Sequence, residues 1–418
     1  MNIFAIIIIT AIIIETIIDV GTNYLNLRNL NQDPPKDLEG IFDSTEYTKS
    51  QEYTKTKTIM GFVSGIFLLS ITLCFWFLGG FNSLDVLVRK LEFAPLATGL
   101  IYCGILFLAS SLLSLPFSIY STFVVEEKFG FNKTTVKTFT LDMIKGLLLS
   151  IILGGFLLTI ILFLFGNEST SQYAWILCWI GIILFTTLLR FIAPTWIMPL
   201  FNKFTPLENG ELREKIEEYA KSVDFSFGNI FVIDGSKRSS HSNAFFTGFG
   251  PTKRIALFDT LLQQNTNDEI LAILGHEIAH QKCKHILITT IIGFLTSGII
   301  FFLLSFLINQ KGLYDAFYMD YSSIYTGIIF FSFLYTPIEL VTSVFGQYLS
   351  RKHEYEADKW ACINGQDGNQ LISALKKLSS HNLSNLTPHP LYVFFNYTHP
   401  PLYERIKAIK SLTINKTE

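Results

Sequence analysis

The sequence predicts a multi-pass α-helical membrane protein of seven spans that carries an α+β domain on the cytoplasmic side. Three observations lead there. Half of the 418 residues are apolar while 16% are charged, and phenylalanine alone occurs 39 times, a balance far from the soluble norm. The apolar residues gather into seven blocks, each close to the roughly 20 residues of helix that cross a bilayer core of ~30 Å. Lysine and arginine crowd into alternate loops between those blocks.

The blocks lie at 3–21, 59–80, 97–119, 143–165, 173–193, 286–308 and 323–346. The first resembles the apolar part of a signal peptide, but it has no basic start and no small-residue cleavage site, and it is too long. It reads as a retained span. Arg28, Lys36, Lys49, Lys55, Lys57, Lys128, Lys133 and Lys137 fall on one side, together with the many cations of 198–285 and of the C-terminal tail. The other side holds Arg89, Lys90 and Lys311. The cation-rich side should therefore face the cytoplasm, with the N-terminus outside.

Two soluble segments then share that side. The first reads as helix 210–223, strands at 229–234, 243–248 and 254–259, and a helix from about 267, with turn signals at Asp234-Gly235 and Gly248 to Pro251. Thr266 and Glu269 form a capping-box pattern that starts the last helix. The second segment reads as helices over 347–364, 368–379 and 401–411. The expected organisation is a five-span region over 1–193, an α+β segment over 194–285, two further spans over 286–346 and a helical segment over 347–418.

A net charge of −2 offers nothing to nucleic acid. Cys74, Cys103, Cys178, Cys283 and Cys362 include no CxxC pair and are expected as free thiols. Cys283 lies three residues after His280, about 300° around a helix, and is set aside as a ligand.

The chemistry concentrates in DEILAILGHEIAHQKCKH. His276 and His280 are four residues apart, so they stand on one helix face and can reach one ion. Glu277, beside the first histidine, can reach a water at that ion and act as base, which is the HExxH arrangement. Catalytic zinc needs a third protein ligand and an open position. SRKHEYEADKW supplies Glu354, with Asp358 one turn later to orient a ligating imidazole. His353 and Glu356 point elsewhere on that helix.

At this point the chain resembles the type I CAAX prenyl endopeptidases, integral-membrane zinc peptidases of seven spans. The resemblance rests on VVEEKFGFNKTT (124–135), PLFNKFTPL (199–207), DGSKRSSHSNAFFTGFG (234–250), RIALFDTLL (254–262), GHEIAH (275–280), SRKHEYEAD (350–358) and YTHPPLYERI (397–406). It implies a zincin-like catalytic domain with one zinc per chain, and roles for Asn243 and His399 at the tetrahedral intermediate. Arg405 matches a family arginine near the site and is expected to bind substrate. His241, His285, His381 and His389 match no role and read as surface or packing residues. The segment SNAFFTGFG, with Asn243, Ala244 and Phe245, is expected to pair with an extended substrate by strand addition.

If the HExxH helix runs on into the span at 286, the metal lies roughly 12 Å from the hydrocarbon boundary. That suits a peptide or protein substrate that is prenylated or otherwise bound to the bilayer. Competing readings are a general quality-control peptidase with no lipid requirement, a peptidase cutting within the bilayer, and a non-catalytic transporter or scaffold. Motif placement ahead of its span argues against the second, and the complete ligand set against the third. The expected protein is a monomer. Its Ile-, Phe-, Asn- and Lys-rich composition points to a prokaryotic plasma membrane; in a eukaryote the endoplasmic reticulum would be expected.

Overall fold

The architecture comes from a computed structural model that describes residues 2–30, 33–34, 38, 40–247 and 254–414. Lys36 and the turn expected at Gly248 to Pro251 lie outside the described residues. Among the described residues, seven helices are long and apolar enough to cross a membrane: Ile3–Asn29, Ser44–Phe77, Pro95–Phe129, Val136–Gly166, Ser171–Leu200, His285–Leu307 and Ile324–Ile363. Many of their large apolar side chains are exposed, among them Leu112 and Val341, as lipid-facing surfaces require.

Contacts at the two ends of the bundle sort the loops into two sides. At one end, Trp76 Nε1 donates to the Ala316 carbonyl at 2.8 Å, and Phe81, Phe317 and Phe330 form one core cluster with Ile8. At the other end, the Asn26 Oδ1 at the close of the first span accepts from the His389 backbone at 3.1 Å. The soluble segments gather there. The segment 124–135 clasps the 234–241 loop: Lys133 N and Thr134 Oγ1 both donate to the Arg238 carbonyl, each at 3.0 Å. Arg238 in turn holds Asp142 at 2.7 and 3.0 Å.

The soluble part contains a four-stranded sheet of order β1 (Phe204–Pro206), β2 (Asn229–Ile233), β4 (Arg254–Phe258), β3 (Ala244–Thr247). β2 and β4 run parallel, and β1 and β3 pair antiparallel at the flanks. Ile230, Ile255 and Leu257 bury against Ile216, Ile270 and Leu274 of the helices Glu211–Ser222 and Asn267–Lys282. The sheet thus backs the HExxH helix and leaves β3 as an edge.

Two departures from expectation matter. The helix expected at 347–364 is the continuation of the seventh span, a single 40-residue helix Ile324–Ile363. A run with no glycine between Gly346 and Gly365 gives it nowhere to stop. The HExxH helix, conversely, does not run on into the sixth span. It ends at Lys282, Lys284 takes a left-handed φ of 60°, and a new helix starts at His285.

Candidate functional site

The HExxH helix begins with the full capping box: Thr266 accepts from the Glu269 backbone, and the Glu269 side chain accepts from the Thr266 backbone at 2.8 Å. Glu269 also receives Ser373 at 2.6 Å and Lys377 at 2.7 Å, which ties the start of the helix to the helix Gly368–His381. Gly275 is required by a close approach: a Cβ there would lie 2.6 Å from the Gln366 side chain. These contacts fix the face that carries His276, Glu277 and His280.

His276, His280 and Glu354 come together across 74 residues of sequence, the difference between 354 and 280. Among the described residues they are the one group of three ligand-type side chains whose donor atoms lie within 4.8 Å of one another. The two Nε2 atoms are 3.2 Å apart, and the Glu354 oxygens lie 3.3 Å from His276 Nε2 and 3.4 Å from His280 Nε2. Such separations are the edges of a tetrahedron whose centre is about 2.0 Å from each corner, the ligand distance of zinc. The Glu354 Oε2 atom is buried, and among the described residues nothing donates a hydrogen bond to it. The donor set therefore fits a divalent cation.

The surrounding charges agree. Burial opposes protonation of His276, but its hydrogen bond to Asp358 and the Glu354 carboxylate 3.3 Å from its Nε2 outweigh this and push its pKa up to about 9. A cation is what this pocket lacks. Asp358 accepts from His276 Nδ1 at 2.8 Å, so the opposite nitrogen of that ring is free to ligate. Glu277 is half-buried beside them, and burial raises its carboxyl pKa, as suits a base working near neutrality.

A cavity of about 600 Å³ opens over this group, lined by Asn243, Ala244, Glu277, His399 and Arg405 among others. Asn243 Oδ1 caps its own strand by accepting from Ala244 N at 2.8 Å. His399 Nε2 approaches Glu354 Oε1 at 3.5 Å from the open side.

Two expected residues take different places. Phe245 does not line the cavity; strand alternation turns its ring toward Phe258, at 6.2 Å between centroids. Asp358, behind His276, makes the contact expected of it, accepting from the Nδ1 of that imidazole. Arg405 is expected at the substrate, but its guanidinium grips Asp358 at 2.7 and 2.8 Å and reaches Glu354 at 3.3 Å. It holds the carboxylates in place. One contact was unforeseen: His285, read as a surface or packing residue, is buried, and its Nδ1 lies 3.1 Å from His280 Nδ1. The third histidine of the motif, five residues on, was its signal in the sequence.

Comparison with known proteins follows the same lines. Residues 23–203 match the family model described as CAAX prenyl protease N-terminal, five membrane helices, and residues 206–413 match that of peptidase family M48. The chain is 38% identical to the CAAX prenyl protease 1 homolog of Arabidopsis thaliana, over 92% of this chain and 93% of the relative. It is 38% identical to the CAAX prenyl protease 1 of Saccharomyces cerevisiae, over 91% and 89% respectively. The crystal structure of S. mikatae Ste24p superposes with a TM-score of 0.91 at 37% identity, covering 97% of this chain and 99% of that one.

Proposed function

Because the chain belongs to peptidase family M48, with the five-helix N-terminal region of the CAAX prenyl proteases, and is an integral-membrane metallopeptidase, we propose the following assignment of its site and substrate. His276, His280 and Glu354 hold one zinc ion, and the observation that carries this is the set of 3.2, 3.3 and 3.4 Å separations among their donor atoms. Bound zinc supplies Lewis acidity, lowering the pKa of water and polarising a carbonyl.

The chain's own residues do the rest. β3 presents an unpaired edge beside the cavity, and an extended peptide adds to it through backbone hydrogen bonds, with Ala244 beneath. Glu277 takes a proton from the attacking water as its oxygen bonds to the scissile carbonyl carbon. It then delivers that proton to the leaving nitrogen as the C–N bond breaks. Asn243 and His399 donate to the oxygen that gains charge. Asp358 and Arg405 position the ligands and touch no substrate.

The substrates are the C-terminal regions of prenylated or membrane-associated proteins, a reading supported by relatives that are named CAAX prenyl protease 1. The site faces the cytoplasm, as the lysine and arginine distribution indicates, and one chain suffices for it. Purified protein should cleave a farnesylated CAAX peptide and leave the unlipidated peptide intact, with Glu277→Gln inactive though still zinc-bound. Equal cleavage of both peptides would instead mean a membrane-linked endopeptidase without lipid selectivity. Hydrogen exchange at 242–247 should slow on inhibitor binding; unchanged exchange would remove the strand-addition step.

A further inference from the structure

The two histidines of the motif are buttressed by different devices, and one of them has no place in the mechanism so far. His276 leans directly on the Asp358 carboxylate. His280 leans on a second imidazole: His280 Nδ1 and His285 Nδ1 are 3.1 Å apart, and His285 Nε2 lies 3.1 Å from Glu356 Oε2. His285 is 2% exposed, and its ring stacks on His353 at 4.0 Å with 9° between planes.

Residues five apart on an unbroken helix point about 140° away from each other. His280 and His285 meet because the helix breaks between them at Lys284, whose φ is 60°. A left-handed conformation is strained for a residue with a side chain, and such backbone strain gathers at functional sites. Here it aims one imidazole at another.

The positions of the hydrogens follow by elimination. The Glu356 carboxylate accepts, so His285 carries its hydrogen on Nε2. His285 Nδ1 is then an acceptor, and His280 must donate from its own Nδ1. That leaves the His280 Nε2 lone pair facing Glu354 and His276, which is the state a metal requires.

We propose that His285, with Glu356 behind it, is a positioning residue for His280 that fixes both its tautomer and its ring orientation for metal binding. The proposal rests on the zinc reading given above. It makes the site asymmetric: one ligand is backed by a buried carboxylate matched with Arg405, the other by a neutral ring whose carboxylate is 45% exposed.

Two amide substitutions divide the relay into its halves. In His285→Asn the Oδ1 stands where Nδ1 was and can still accept from His280. In His285→Gln the amide reaches the place of Nε2 and can meet Glu356 but not His280. Zinc affinity of the full-length detergent-solubilised protein is measured by competition with a chelator, and the absorption spectrum of the cobalt-substituted site is recorded alongside. His285→Gln should bind zinc about 10–100-fold more weakly than wild type, with an altered cobalt spectrum, while His285→Asn stays within a few-fold. Equal affinities for wild type and His285→Gln, or equal losses in the two variants, would overturn the relay and leave His285 as packing. A wild-type protein that binds no zinc would overturn the metal reading as well.

Discussion

Removing Arg405 should unbalance the metal centre in a way that a metal partly repairs. The guanidinium is 7% exposed and lies between Asp358, 1% exposed, and Glu354, 4% exposed. It donates to Asp358 at 2.7 and 2.8 Å and stands 3.3 Å from Glu354. Arg405→Met keeps most of the volume and leaves two buried carboxylates without their cation. Breaking a buried ion pair by deleting one partner costs about 3–5 kcal/mol. At roughly 2–4 °C per kcal/mol for a sizeable domain, the metal-free protein should lose on the order of 6–20 °C in unfolding midpoint. Zinc then neutralises Glu354 but not Asp358, so its stabilising shift should be larger in the variant than in wild type. Arg405→Lys retains the charge but loses the planar fork and should recover less than half of the loss. Intrinsic tryptophan fluorescence during thermal unfolding in detergent reads this directly, since Trp360 lies on the helix that carries Glu354. A metal-free Arg405→Met protein melting within a degree or two of wild type would refute the reasoning.

Three further outcomes are expected. Asn243→Ala should lower kcat by on the order of 10²–10³ with little change in KM, the signature of a donor engaged only as charge develops; a change confined to KM would place Asn243 in ground-state binding instead. Gly275→Ala should destabilise by about 1–3 kcal/mol, because its methyl meets Gln366 at 2.6 Å and the Tyr219 hydroxyl at 3.1 Å; denaturation of the variant beside wild type checks it. For Glu269, burial raises the carboxyl pKa, but the bonds from Lys377 and Ser373 outweigh it and the net shift is downward. Its stabilising contribution is therefore present above the ordinary carboxyl value of ~4.3 and lost as pH falls through the lower folded value. The midpoint gap between wild type and Glu269→Gln should thus be constant near neutrality and close in acid.

Much of the molecule was legible because its strongest signals are local. Apolar blocks of span length need no tertiary context, and the Thr266–Glu269 capping box sets the register of the HExxH helix without one. The four-residue spacing of His276 and His280 already fixes a shared face. What escaped depends on long-range contacts or on a single dihedral. The break at Lys284 has no glycine or proline to mark it. Reading through it would send the His285 ring to the far side, so its contact with His280 was hidden. Arg405 was legible as a neighbour of the site, but only the fold shows its donors turned to Asp358 and Glu354. The strand pattern picks out Phe245, but register with Ala256 decides which face its ring takes.

The 40-residue helix Ile324–Ile363 makes the bilayer a mechanical part of the enzyme. Its apolar half is seated in lipid, and Glu354 is carried on the rigid extension beyond. From Pro337, where the helix lacks a backbone donor, Glu354 is about 25 Å along the axis at 1.5 Å per residue. A 2° tilt there displaces the carboxylate by roughly 1 Å, a misplacement on the scale that costs an active site about 10²-fold in rate. A span meets a change in hydrocarbon thickness partly by tilting, so the same polypeptide should be differently aligned in thin and thick membranes.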